Sequence, residues 1–124
     1  MIADIFASIN WYAIVITFCF IGLDFVSGFA QAVSNKEVSS EKLRKGLFHK
    51  CGFMLAIALG VLCEVSMQFI DLGFDFPICI AVCGYIILAE LVSILENIGK
   101  LAPGLADSGF LQIFKIHNQE TEHE

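Results

Sequence analysis

Apolar positions gather in three blocks, 5–33, 51–70 and 77–98, with short polar stretches between them. A bilayer's hydrocarbon layer, about 30 Å thick, is crossed by a helix of about 20 mostly apolar residues, so each block is long enough to span. Each carries only one or two charged residues. The pattern predicts an all-α integral membrane protein with three transmembrane helices, at about 8–31, 51–70 and 77–98, inside one unit of 1–116, and a polar acidic tail at 117–124. Trp11 and Tyr12 sit near the outer end of the first span, where amphipathic rings favour the headgroup level. Two registers remain for that span. One runs to about Gln31 and buries Asp24, and the other ends near Leu23 and leaves Asp24 at the inner interface.

The connections differ in character. Segment 34–50 mixes Lys, Glu and Ser with Val38, Leu43, Leu47 and Phe48, which fits either an amphipathic helix on the inner membrane surface, capped by Ser39 or Ser40, or a solvated loop that fixes topology. Segment 71–76 is short, with Gly73 for a tight bend and Pro77 suited to a helix start, so the second and third spans form an antiparallel hairpin. Beyond Gly99, Pro103 and Gly104 break the helix. Leu105, Phe110, Leu111 and Phe114 suit a brief interfacial piece, and 117–124 has the composition of a disordered segment.

Composition agrees with a membrane location: 57% of the 124 residues are hydrophobic and the mean hydropathy is +0.78. The net charge of −6 disfavours nucleic acid as a partner, but its distribution says more. Lys36, Lys42, Arg44, Lys45 and Lys50, five of the seven basic residues, lie in the 34–50 linker, while Lys100 and Lys115 follow the third span. The positive-inside rule then puts the linker and the C-terminus in the cytoplasm and the N-terminus outside. A cleavable signal peptide would want a basic start, which 1–4 lacks. Cys19, Cys51, Cys63, Cys79 and Cys83 have no CxxC spacing and read as small buried hydrophobes, so no disulfide, metal site or cofactor is expected.

No catalytic constellation is visible, and His49, His117 and His123 all lie outside the spans, so no enzyme activity is expected. The informative residues are carboxylates inside apolar blocks: Asp24, Glu64 and Glu90. An ionised carboxylate at mid-bilayer costs a few kcal/mol, so such groups face protein or water. Thr17, Asp24 and Gln31 are seven apart and make a polar seam on the first span, beside Ser27 and Gly28. On the third span Glu90, Ser93, Asn97 and Lys100 recur at steps of three and four and share a face. These edges either line water in an oligomer or act as hydrogen-bonded glue between packed helices. Gly52, Ala56 and Gly60, at intervals of four and extended by Glu64, make a small-residue stripe on the second span; with Gly28 they are the candidate helix-packing positions.

At these same residues the chain resembles the toxin secretion/phage lysis holin family. Its first block, an Asp followed by Gly and Ala at the end of the first span and then a Ser-containing basic linker ending in Lys-Gly and a further Lys, is similar to Asp24, Gly28, Ala30, Ala32, Ser39, Ser40, Lys45, Gly46 and Lys50. Its second block, Glu-x-x-Ser-Ile-x-Glu-Asn, is similar to Glu90, Ser93, Ile94, Glu96 and Asn97, and Pro103 suits the stretch that follows. The resemblance runs from about Ile21 to Phe114. Glu64 stands where the family often has Asp, and the tail is acidic rather than strongly basic. The resemblance implies a homo-oligomer that opens lesions in the cytoplasmic membrane and releases an endolysin or a large toxin as cargo, without binding it specifically. A non-conducting structural or regulatory subunit that binds a partner through the basic linker is the alternative from another class. A small transporter is disfavoured because a three-span chain has no internal inverted repeat.

Overall fold

The structure, a computed structural model, describes residues 1–106 and Gly109. Among the described residues there are five helices, α1 (Ile2–Ser8), α2 (Trp11–Ser34), α3 (Ser40–Met67), α4 (Ile78–Leu101) and α5 (Pro103–Ala106), and no strand. α2, α3 and α4 are each long and apolar enough to cross a membrane. The chain is a multi-pass membrane protein. Phe110, Leu111, Phe114, Lys115, His117, His123 and the 117–124 tail lie outside the described residues.

Local chemistry sets the helix ends. α1 is separate from α2 because Ile9 is extended and the Asn10 side chain accepts from the backbone N–H of Ala13 at 3.2 Å, capping α2 afresh. α2 ends in a Schellman turn: Glu37 N–H donates to Ala32 C=O at 2.8 Å and Lys36 N–H to Val33 C=O at 3.2 Å. Lys36 occupies the left-handed position, with φ +56°, where glycine is usual. Ser39 Oγ then caps α3 by accepting from Lys42 N–H at 3.4 Å. From there α3 runs unbroken to Met67, so the amphipathic or loop segment expected at 34–50 is confined to the few residues before Ser40, and its later part is the opening of α3. Apolar residues Leu43, Leu47 and Phe48 let the helix continue into the span without a break. At the other end Gly73, at φ +80°, and the Asp71 carboxylate, which accepts from Gly73 N–H at 2.8 Å, make the bend between α3 and α4. α4 stops at Ala102 because Pro103 disfavours helical geometry in the residue before it.

The three long helices meet along faces whose buried positions recur mostly at steps of three and four. On α2 the buried positions include Ile14, Thr17, Ile21 and Ser27; on α3 they are Lys50, Phe53, Ile57 and Gly60; on α4 they are Cys79, Cys83, Ile86, Glu90, Ile94 and Asn97. This is the spacing of knobs-into-holes packing at shallow crossing angles. α4 lies between the other two and packs against both; α2 and α3 barely touch. The core is narrow, and many large apolar side chains point outward, among them Val15, Val26, Leu55, Leu59, Leu62 and Leu88. In water such a surface would drive aggregation, whereas lipid is its proper solvent. Cys19 and Cys51 share this outward surface, which corrects the expectation that the cysteines are buried; only Cys79 and Cys83 are in the core, and all five are free. Lipid accommodates a thiol as readily as a protein interior does.

Candidate functional site

Halfway along α2 and α4 the apolar core is interrupted by charge. Lys50 reaches in from α3 and donates from Nζ to Asp24 Oδ2 of α2 at 2.6 Å and to Glu90 Oε2 of α4 at 2.8 Å. Lys50 and Glu90 retain only 7% and 2% of their exposure, and Asp24 is half-buried. One ammonium thus joins three helices, and it carries two carboxylates.

A hydrogen-bonded layer continues toward the basic end of the bundle. Asn97 Nδ2 donates to Asp24 Oδ1 at 3.1 Å and to Ser27 Oγ at 3.0 Å, and Ser27 Oγ donates to the Asp24 carbonyl at 3.1 Å. Gly28 lies against this layer, where a Cβ would make ordinary van der Waals contact with Asn97 Nδ2 at 3.4 Å. Every buried side-chain nitrogen and oxygen among the described residues has a hydrogen-bond partner, so the cluster is fully satisfied within one protomer. Such satisfaction is what makes charge tolerable at low dielectric. Beside it a cavity of about 210 Å³, lined among others by Gln31, Lys42, Gly46, Ser93 and Asn97, opens toward the basic end.

The other candidate residues fall elsewhere. Thr17 is fully buried, but its hydroxyl donates to Ala13 C=O of its own helix at 2.7 Å and adds no interhelical bond. Gln31 borders the cavity and accepts from Asn35 Nδ2 at 3.2 Å. Glu64 lies at the hairpin end, far from the cluster, and its Oε1 accepts from Cys79 N–H at 3.0 Å. It thereby caps α4, whose N-cap, Pro77, supplies no side-chain acceptor.

The small-residue stripe divides. Gly60 is buried and a Cβ there would lie 3.3 Å from Cys79 Cα, so it is a point of close approach to α4. Ala56 is half-buried, and Gly52 is exposed with nothing within 4 Å. Steps of four advance about 400° around a helix, so a stripe of fours drifts off the contact face.

Of the basic residues, Lys36, Lys42, Arg44 and Lys45 are exposed, Lys45 pairing with Glu41 at 3.5 Å. Lys50 departs from the linker assignment, because it lies inside the bundle. The signal for it was its spacing: Lys50, Phe53, Ile57, Gly60 and Glu64 follow steps of three and four and so share one face.

A sequence model of the bacteriophage holin family matches residues 1–105 of the chain. Among curated proteins and among solved structures nothing matches it.

Proposed function

Since the chain belongs to the bacteriophage holin family, we propose that it assembles with copies of itself in the bacterial cytoplasmic membrane and opens lesions through which an endolysin or toxin leaves the cell. The observation that carries this reading is the Asp24–Lys50–Glu90 cluster with its Ser27 and Asn97 layer, a polar seam held at mid-depth in an otherwise lipid-facing bundle. A protein that served only to pack in lipid would have no need of three ionisable groups there, since each is costly to insert.

In the closed state these groups satisfy one another between helices. On opening, the edge formed by Asp24, Ser27 and Gln31 on α2 and the edge formed by Glu90, Ser93 and Asn97 on α4 part and face water, and the outward apolar surface stays in contact with lipid and with neighbouring copies. Water then replaces the ion pairs at little cost, which a dry bundle could not offer. The exposed Lys42, Arg44 and Lys45 hold the basic end at the cytoplasmic surface.

The test is release of an entrapped dye from liposomes that contain only the purified protein. Release above that of empty liposomes, rising steeply with protein-to-lipid ratio, is the expected result. Oligomers that insert yet retain a small dye at every ratio would overturn the lesion reading and favour the non-conducting subunit.

A further inference from the structure

We infer that Lys50 is the latch of the closed bundle and that its two carboxylate partners oppose each other's hold, so that charge changes at the two ends of the same ion cluster move opening in opposite directions. This rests on the lesion-forming reading and adds to it which residue sets the balance between closed and open.

The argument begins with stoichiometry. Lys50 Nζ lies 2.6 Å from Asp24 Oδ2 and 2.8 Å from Glu90 Oε2, so a single positive charge draws two negative ones to the same point. Among the described residues no other Lys or Arg joins them: Lys42, Arg44 and Lys45 are exposed on the first turns of α3, and Lys100 is exposed at the end of α4. Asn97 contributes only a neutral donor to Asp24.

Connectivity gives the second step. α2 and α3 scarcely pack against each other, and Lys50 is the side chain that ties both of them and α4 at one level. Without its charge, two carboxylates face each other in a dry core, and the favourable way out is to separate and admit water. With Glu90 neutral, the remaining Lys50–Asp24 pair is balanced, the amide oxygen still accepts, and the closed bundle loses its excess charge. The cluster is therefore held, but by design of its charge count it is held less firmly than a simple pair.

The experiment compares dye-release lag at a fixed protein-to-lipid ratio for the wild type, Lys50→Gln, Glu90→Gln and the triple variant Asp24→Asn/Lys50→Gln/Glu90→Gln. Lys50→Gln is expected to shorten the lag by roughly tenfold or more, since it leaves buried carboxylates without their cation, and Glu90→Gln, which leaves a balanced pair, to lengthen it. The triple variant restores hydrogen bonding without charge and is expected to return the lag at least to the wild-type value. A merely structural role would move both single variants the same way, and that outcome overturns the proposal, as does a triple variant as leaky as Lys50→Gln. If Lys50→Gln fails to insert, the sign of the Glu90→Gln change alone decides. If the wild type releases no dye, the lesion reading has failed while the latch has not. Thermal unfolding in detergent then tests it, with Glu90→Gln expected to melt above the wild type and Lys50→Gln below, and unchanged melting would overturn it.

Discussion

At the scale of single residues, each buried side-chain nitrogen and oxygen among the described residues has a hydrogen-bond partner. Glu64 shows how much one such partner does. Pro77 begins α4 without a side-chain cap, and the Glu64 carboxylate crosses from α3 to take the Cys79 N–H at 3.0 Å. Glu64→Gln keeps an acceptor oxygen and is expected to unfold in detergent close to the wild-type temperature. Glu64→Leu leaves the N–H without that acceptor and is expected to cost about 1 kcal/mol, read as a lower melting temperature. Equal melting of the two variants would show that the cap contributes nothing. The sequence marks Asp24, Glu64 and Glu90 as residues that must face protein or water, because carboxylates in apolar blocks are conspicuous. It conceals their partners. Lys50 stands at the edge of a basic run, where its neighbours Lys42, Arg44 and Lys45 give it the look of a solvated charge, and only the heptad step to Phe53 and Ile57 separates it from them.

At the scale of elements, the apolar blocks make all three long helices legible, since length and hydropathy suffice to call a span. The joint between α2 and α3 is less so: a stretch of Lys, Glu and Ser is compatible with loop or helix, and the decision falls to the Lys36 turn and the Ser39 cap, which act over only a few residues. Helix contact faces are legible where steps of three and four combine, and misread where a stripe of fours alone is followed. This yields a sharp contrast between two glycines. Gly60→Leu is expected to push α3 away from α4, because even a Cβ would meet Cys79 Cα at 3.3 Å, and to lower stability by about 1–3 kcal/mol in thermal unfolding. A Cβ at Gly52 meets nothing within 4 Å, and Gly52→Leu is expected not to lower that stability. Crosslinking of the same two variants in membranes separates the protomer from its assembly: loss of crosslinked oligomers in Gly52→Leu alone would mark the outer part of the stripe as a contact between copies, and lower stability in Gly52→Leu would contradict the packing described.

At the scale of the whole molecule, the two ends of the bundle differ in charge as well as in chemistry. Lys36, Lys42, Arg44, Lys45 and Lys100 gather at one end, while Asp4, Asp71 and Asp75 mark the other. The second end also carries an apolar collar. Phe6 stacks on Trp11 at 5.8 Å between ring centres, Gln68 Nε2 donates to Ser8 Oγ at 2.8 Å, and Phe69, Phe74 and Phe76 are exposed beside them. Aromatic rings of this kind sit well at a headgroup boundary and hold an end of the bundle there without choosing a leaflet. The orientation we propose, with the N-terminus and the 71–76 turn outside, rests on the basic end, which resists crossing. In a cysteine-free background, Asp75→Cys is expected to react with a membrane-impermeant thiol reagent applied to intact cells, and Lys45→Cys is expected to react only after the membrane is broken. The reverse pattern would overturn the orientation. Replacing Lys42, Arg44 and Lys45 together by Asn removes most of the bias while leaving the buried Lys50 cluster in place, so a mixed labelling pattern in that variant, with unchanged thermal unfolding, would assign topology to the exposed charges and packing to the buried one.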